Sequence, residues 1–253
     1  MKLRYLQYFF EKLLNKSDLL RLRKVKAQTQ RKFLKSELSD IFFRSLEYVY
    51  SSHVEGDVAE FGTQTGKSSA QIIALIEILN LQTYGLRNNW YRHVHYFDSF
   101  VGFPEITSEP DLNSHHVVNR IWKKGGCVGL DVKKFTKIME RLSPSTEVKI
   151  IPGYFEESLS EYELPRKISW VHIDCDLYQS TICVLNYLFS NGVLSQGSIL
   201  LFSDYFANRG EPSVGQQLAW SEIQMKYDVD FDNLGYSGTM SNAFLIRKYK
   251  STI

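Results

Sequence analysis

Cysteine is scarce in this chain: Cys127, Cys175 and Cys183 are the three in 253 residues. They are scattered and odd in number, which argues against a disulfide framework and against a zinc site. No apolar run is long enough to span a bilayer. The start, "MKLRYLQYFFEKLL", is basic and apolar like a secretory leader, but Glu11 and Lys12 break the apolar stretch and no small-residue cleavage site follows. Reduced thiols and a cytosolic location are therefore expected. What is plentiful is core material, with 43% hydrophobic and 14% aromatic residues. The length suits one α/β domain with extensions, or two small domains.

Acidic residues are nearly missing from the first 35 positions. Eleven Lys and Arg stand there against Glu11 and Asp18, a charge of +9, so the other 218 residues carry −7 of a chain total of +2. Leu3, Leu6, Phe10, Leu13 and Leu14 recur at helical spacing. The segment is expected to be a basic helix packed on the acidic body of its own chain or of a partner subunit, in a homo-oligomer. Peripheral contact with an acidic membrane is the alternative. Nucleic acid is not an expected partner, because nothing else in the chain resembles a binding module.

A complete phosphate-binding loop is missing too. Residues 60–69, "EFGTQTGKSS", end like one, but only Thr63, Gln64 and Thr65 separate Gly62 from Gly66, one residue short of the pattern. Glu60, two residues before Gly62, would repel phosphate. Gln64 stands where the dinucleotide fingerprint needs its second glycine. What remains is an apolar run, a glycine turn with an acid at its lip, and a second apolar run, "AQIIALIEIL". Such a site suits a ligand with a positive centre and a ribose, and S-adenosylmethionine is the leading candidate.

Along the chain, residues 36–52 and 67–80 read as helices, with a buried strand at 56–62 between them. Strands are expected at 93–100, 147–153, 169–176 and 197–205, helices at 131–142, 180–192 and 213–226, and two closing strands with a Gly/Ser turn within 229–249. Residues 101–130, rich in Gly, Pro, Ser, Asn and His, read as a long mobile loop or partial lid. Strands alternating with helices predict a parallel sheet covered on both faces, with the closing pair as an antiparallel edge. Ligands of such sheets bind beyond the carboxyl ends of the strands. Glu60, Gly62, Asp98, Gly153, Asp174, Asp176 and Asp204 all fall there.

Asp98 is placed to accept hydrogen bonds from ribose hydroxyls, or to form an Asx turn with Ser99 and Gly102 beyond it. Asp174 and Asp176, two apart, face one side of a continuing strand, and Asp204 arrives from the next. Two or three carboxylates suit Mg²⁺ or another hard cation; alternatively Asp176 caps the following helix. His115 and His116 lack acid or Cys partners at metal spacing and read as surface or lid residues. Aromatic residues of "DSFVGFPE" and "PGYFEE" are expected to wall the pocket.

The stretches "DVAEFGTQTGKSS", "YFDSFVGFPE", "IIPGYFEESL", "VHIDCDLYQST" and "LLFSDYF" occur in an order and spacing that resembles the macrocin O-methyltransferase (TylF-like) family. The resemblance spans residues 55–250 and is carried by "DSFxGxPE" and "DxDLYxST" together. It implies a Rossmann-like class I methyltransferase fold. The sheet would be mostly parallel and seven-stranded, with an antiparallel C-terminal strand. A helical extension at 1–52 would precede a methyltransferase domain at 53–253. It implies transfer from S-adenosylmethionine to a hydroxyl of a sugar, on a glycosylated natural product or a polysaccharide. The cofactor would be bound by Glu60, Gly62, Thr63, Gly66, Ser68, Asp98, Ser99, Gly153 and Tyr154. Asp174 would be a metal ligand, Asp176 the general base, and Ser203 and Asp204 further ligands. The family carries two adjacent acids before that Tyr, whereas this chain has Ser203 and then Asp204. One charged ligand is missing, so Mg²⁺ is expected to be weakly held. A small aromatic acceptor and a non-catalytic scaffold on the same fold are the rival readings.

Overall fold

In the computed structural model, which describes residues 39–81, 91–236 and 238–251, the glycine-bounded apolar runs form strands and the runs of helical period pack against them. The first half contains α1 (Ser39–Ser51), β1 (Asp57–Phe61), α2 (Lys67–Leu81), β2 (Val94–Asp98), the one-turn helices α3 (Glu109–Leu112) and α4 (His115–Val118), and α5 (Val132–Leu142). The second half contains β3 (Val148–Pro152), α6 (Phe155–Glu161), β4 (Ile168–Ile173), α7 (Tyr178–Ser190), β5 (Leu194–Phe202), α8 (Gly215–Tyr227), β6 (Asp230–Tyr236) and β7 (Asn242–Lys248).

The strands lie in one seven-stranded sheet in the order β3-β2-β1-β4-β5-β7-β6. Pairing is parallel from β3 through β5. β7 runs antiparallel to both β5 and β6. This is the expected α/β, Rossmann-like arrangement. The chain winds outward in both directions from β1 and β4, so the crevice at their carboxyl ends is the place where a ligand is received.

Alternation along each strand feeds two layers. Val58, Tyr96, Trp170 and Leu201 pack with Phe42, Leu46, Ile72, Ile76 and Phe135 under α1, α2 and α5. Phe61, Phe97, Ile173, Phe202 and Phe244 pack with Leu159, Leu185 and Trp220 under α6, α7 and α8. Phe42, Leu46 and Val49 are fully buried, so α1 belongs to this core although the sequence grouped it with the extension. The remainder of that extension, with the basic arm, lies outside the described residues. No helix among the described residues is long and apolar enough to cross a membrane.

Two local differences from the sequence reading have clear causes. Residues 101–130 hold two turns of helix rather than loop alone: Ser108 accepts from the Asp111 N–H and Ser114 from the Val117 N–H, each a serine cap in front of a short segment. Helix α6 begins just past Gly153 and its N-cap Tyr154, where only pocket-wall residues were expected; Glu156 and Glu157 lie in its first turn, where acids are favoured.

Candidate active site

A cleft opens at the carboxyl ends of β1 to β4. The turn after β1 contributes Gly62 and Gln64, the end of β2 contributes Asp98 and Ser99, and the turn after β3 contributes Gly153 and Tyr154. Asp174 and Asp176 come from the end of β4, and Phe103, Pro104 and Phe155 supply apolar wall, as the aromatic stretches predicted. Glu156 adds a fourth carboxylate, and no Lys or Arg is among the described residues that line the cleft. A surface with four acids and no cation disfavours phosphate and favours a ligand carrying positive charge.

Gly62 is what lets this cleft form. Its φ is 90°, and a Cβ built on it would lie 1.9 Å from the Asp174 carbonyl oxygen. The Asp174 N–H in turn donates to the Phe61 carbonyl at 2.8 Å. Only glycine permits the turn after β1 and the acidic end of β4 to touch in this way.

Asp98 closes the turn from the other side. Its Oδ2 accepts from the Thr63 N–H (2.6 Å), the Thr63 hydroxyl (3.1 Å) and the Gln64 N–H (3.0 Å). Among the described residues its Oδ1 accepts only from the Phe100 N–H, at 2.7 Å. The Asx turn is therefore real, and one oxygen still has accepting capacity toward the cleft. Thr63 is buried and serves Asp98 rather than lining the cleft. Gly66 faces the ring of Phe135, 3.3 Å from an added Cβ, so it packs the turn onto α5. Ser68 is half-buried in the first turn of α2, away from the lining residues.

Glu60 does not stand at the lip of the turn. It is fully buried among the residues of the α1/α2 layer, because strand alternation directs it to the side of Val58. Its Oε2 accepts from the Ser69 hydroxyl at 2.5 Å and its Oε1 meets His172 Nδ1 at 2.9 Å. Burial alone would hold the His172 imidazole down, but the bond to Glu60 and the charges of Asp174 and Asp204 lift it above its ordinary value.

At the end of β4, Asp176 sits at φ 59°, a strained backbone region for a residue other than glycine. Burial, then the charges of Asp204 and Asp174, push its carboxyl well above the usual range. Asp204 is pushed up to about 8 by burial and by Asp174. The Ser203 hydroxyl donates to Asp174 Oδ1 at 2.5 Å and faces Asp204 Oδ2 at 3.5 Å. The Asp204 N–H donates to Gln216 Oε1, whose amide donates to the Ile173 carbonyl. This donor set does not fit a dedicated divalent cation. Hard cations take about six oxygens. Here two carboxylates, Asp174 and Asp204, and the neutral oxygen of Ser203 fall short of that number by themselves, and no group of three Asp, Glu, His or Cys among the described residues is arranged to hold a metal.

The segment over the cleft is fastened to α7. Asp111 is buried and accepts from the Tyr178 N–H (2.7 Å) and the Gln179 N–H (2.9 Å). Gln179 replies by accepting from the Thr107 and Ser108 N–H groups and donating to the Glu105 carbonyl. Asp111, not Asp176, thus caps the start of α7. Phe103, Trp122, Leu177 and Ala207 form a small apolar cluster beneath it. His116 is structural: it stacks on Trp122 with centroids 4.4 Å apart and bonds Asn208 at 2.8 Å. Cys127 lines the cleft beside the carboxylates, and burial and their charges push its thiol up to about 11, so it is no nucleophile at neutral pH. A larger cavity, about 460 Å³, lies at the opposite end of the parallel strands between Glu55, Gln196 and Arg247, away from this chemistry.

Residues 36–223 match the profile of the macrocin-O-methyltransferase (TylF) family. No curated protein matches the chain. Among solved structures, the O-methyltransferase NovP is similar at a TM-score of 0.66 and 18% identity, over 83% of this chain and 79% of that one. CalS11, a calicheamicin methyltransferase, is similar at 0.55 and 18%, over 92% and 80%. An O-methyltransferase from Bacillus cereus in complex with SAH is similar at 0.50 and 14%, over 96% of each chain. At such identities these likenesses concern the fold.

Proposed function

Because the chain belongs to the macrocin-O-methyltransferase (TylF) family, we propose that it methylates a hydroxyl of a sugar carried by a natural product or a polysaccharide, with S-adenosylmethionine as donor. The observation that carries this reading is the acidic cleft at the carboxyl ends of β1 to β4, with no Lys or Arg among its described lining residues. When bound, S-adenosylmethionine supplies an electrophilic methyl group on a positively charged sulfur. The carboxylates favour that charge. Asp98 Oδ1 has room for a ribose hydroxyl, and Ser99, Gly153 and Tyr154 form the walls on that side.

Asp176 is the proposed base. A sugar hydroxyl is too weak an acid to ionise in advance, so its proton leaves as the new bond forms. A carboxylate whose proton affinity is raised by burial and by Asp204 and Asp174 is suited to take it. Asp174, held by Ser203, fixes the position of the segment that carries Asp176. The fastened lid restricts water, and the alignment this provides is the larger part of the rate.

The basic arm is proposed to pack against a second subunit or the acidic body, with membrane contact as its alternative. The three unpaired cysteines support action in the cytosol. Calorimetric titration with SAH and with ATP tests the main reading. SAH binding at micromolar level without ATP binding is expected, and the reverse would overturn it. Asp176→Asn is expected to keep SAH affinity and lose transfer by at least about a hundredfold, the scale of a lost general base.

A further inference from the structure

We propose that Glu60 and His172 are positioning residues that set the spacing between the cofactor turn and the acidic end of β4. They are direct register partners across β1 and β4, and both are fully buried. Glu60 has no path to the cleft, so whatever it does there is done through its partners.

Its two oxygens reach different elements. Oε2 takes the Ser69 hydroxyl, in the first turn of α2 just past the glycine turn. Glu60 is the next-to-last residue of β1, just before that turn, so one carboxylate holds both sides of residues 62–66. The Tyr96 hydroxyl donates to the Ser69 carbonyl at 3.1 Å and braces the same point from β2. Oε1 takes His172 Nδ1, two residues ahead of Asp174. Among the described residues His172 Nε2 has no hydrogen-bond partner, and the bond to Glu60 is the only one the ring makes. The Phe42 ring, 5.0 Å away and nearly perpendicular, closes the space around it. An apolar pair of the same volume would fill this layer, but it would not fix the turn and β4 at one separation, as directional bonds do.

The inference rests on the cofactor reading given above. It separates two roles by geometry and charge. If Glu60 met the ligand's positive charge directly, the neutral Glu60→Gln would lose as much as Glu60→Ala. As a positioning residue, Glu60→Gln retains an acceptor for His172 and a donor for the Ser69 oxygen. His172→Asn likewise keeps a donor where Nδ1 stands.

The experiment measures SAH affinity by calorimetry and unfolding by heat for Glu60→Gln, Glu60→Ala, Ser69→Ala and His172→Asn. Glu60→Gln and His172→Asn are expected within about threefold of the wild type. Glu60→Ala is expected to bind about thirtyfold more weakly, as for two lost hydrogen bonds, and Ser69→Ala about fivefold more weakly. Glu60→Gln as weak as Glu60→Ala overturns the proposal. So does a folded Glu60→Ala, or a folded Ser69→Ala if the former does not fold, that melts early yet binds SAH normally. Failure of the wild type to bind SAH would instead overturn the cofactor reading.

Discussion

Replacing Asp98 by asparagine separates holding the turn after β1 from contacting a bound ligand. The carboxylate receives three backbone N–H groups and one hydroxyl, shared unequally between its two oxygens. Asparagine has one oxygen. Turned toward Thr63 and Gln64, it sets its NH₂ group against the Phe100 N–H; turned the other way, it sets that group against two N–H donors. At least one backbone donor is left unpaired in either pose. An unpaired buried donor costs about 1–3 kcal/mol, and the remaining bonds lose their charge assistance. Asp98 is half-buried, so water offsets part of this, and the net cost is about 2–3 kcal/mol. For a chain of this length that lowers Tm by roughly 4–12 °C. SAH binding weakens by at least about tenfold, because the ligand must re-form the turn it uses. Thermal unfolding and calorimetry on one preparation check both numbers. A variant with weakened SAH affinity and unchanged Tm would refute the account, since Asp98 would then act on the ligand alone.

Ser203→Asp supplies the acid that the resembling family carries there and is expected to tighten Mn²⁺ binding at least about tenfold over the wild type, read by electron paramagnetic resonance. Asp111→Ala leaves the first N–H groups of α7 and the lid without their shared partner. It is expected to speed proteolytic cutting between residues 101 and 130 and to lower Tm by a few degrees, at about 1–2 kcal/mol for a lost cap. Asp57 is fully buried, and although burial pushes its carboxyl up, the bonds from His95 and the His93 N–H and the charge of Arg166 hold it below its ordinary value of 3.8. Its folded value lies below its unfolded one, so the stability it adds is present above 3.8 and is lost as pH falls through the folded value. Asp57→Asn is expected to flatten that acid limb in denaturant titrations, and an unchanged limb would contradict the assignment.

Several cleft-lining residues were legible because they sit where periodicity ends. Asp98, Gly153 and Asp174 follow apolar runs bounded by turn residues, and a parallel sheet brings all such ends to one edge. Other lining residues gave no such signal. Gln64 stood out only as a misfit to a glycine pattern, and Cys127 is a lone thiol in a loop. Asp111 lies 67 residues before the helix it caps, so no local pattern marks it.

From the sequence alone came the alternation of strands and helices, the short glycine turn that cannot curl around a phosphate, and the family whose motifs it carries. These are properties of neighbouring residues, since period, turn chemistry and spacing are set along the chain. Tertiary structure decided what each polar group touches. Glu60 looked like a ligand because it precedes a glycine, but register with His172 and the pleat of β1 turned it into the layer beneath. Gly66 was legible as a turn residue, but that the ring of Phe135 packs beside it was not. Ser203 stands where the resembling family carries an acid, and only the fold brings its hydroxyl onto Asp174. A hydrogen bond forms or fails within a few tenths of an ångström, and only the packing of the two helical layers on the sheet sets distances that finely.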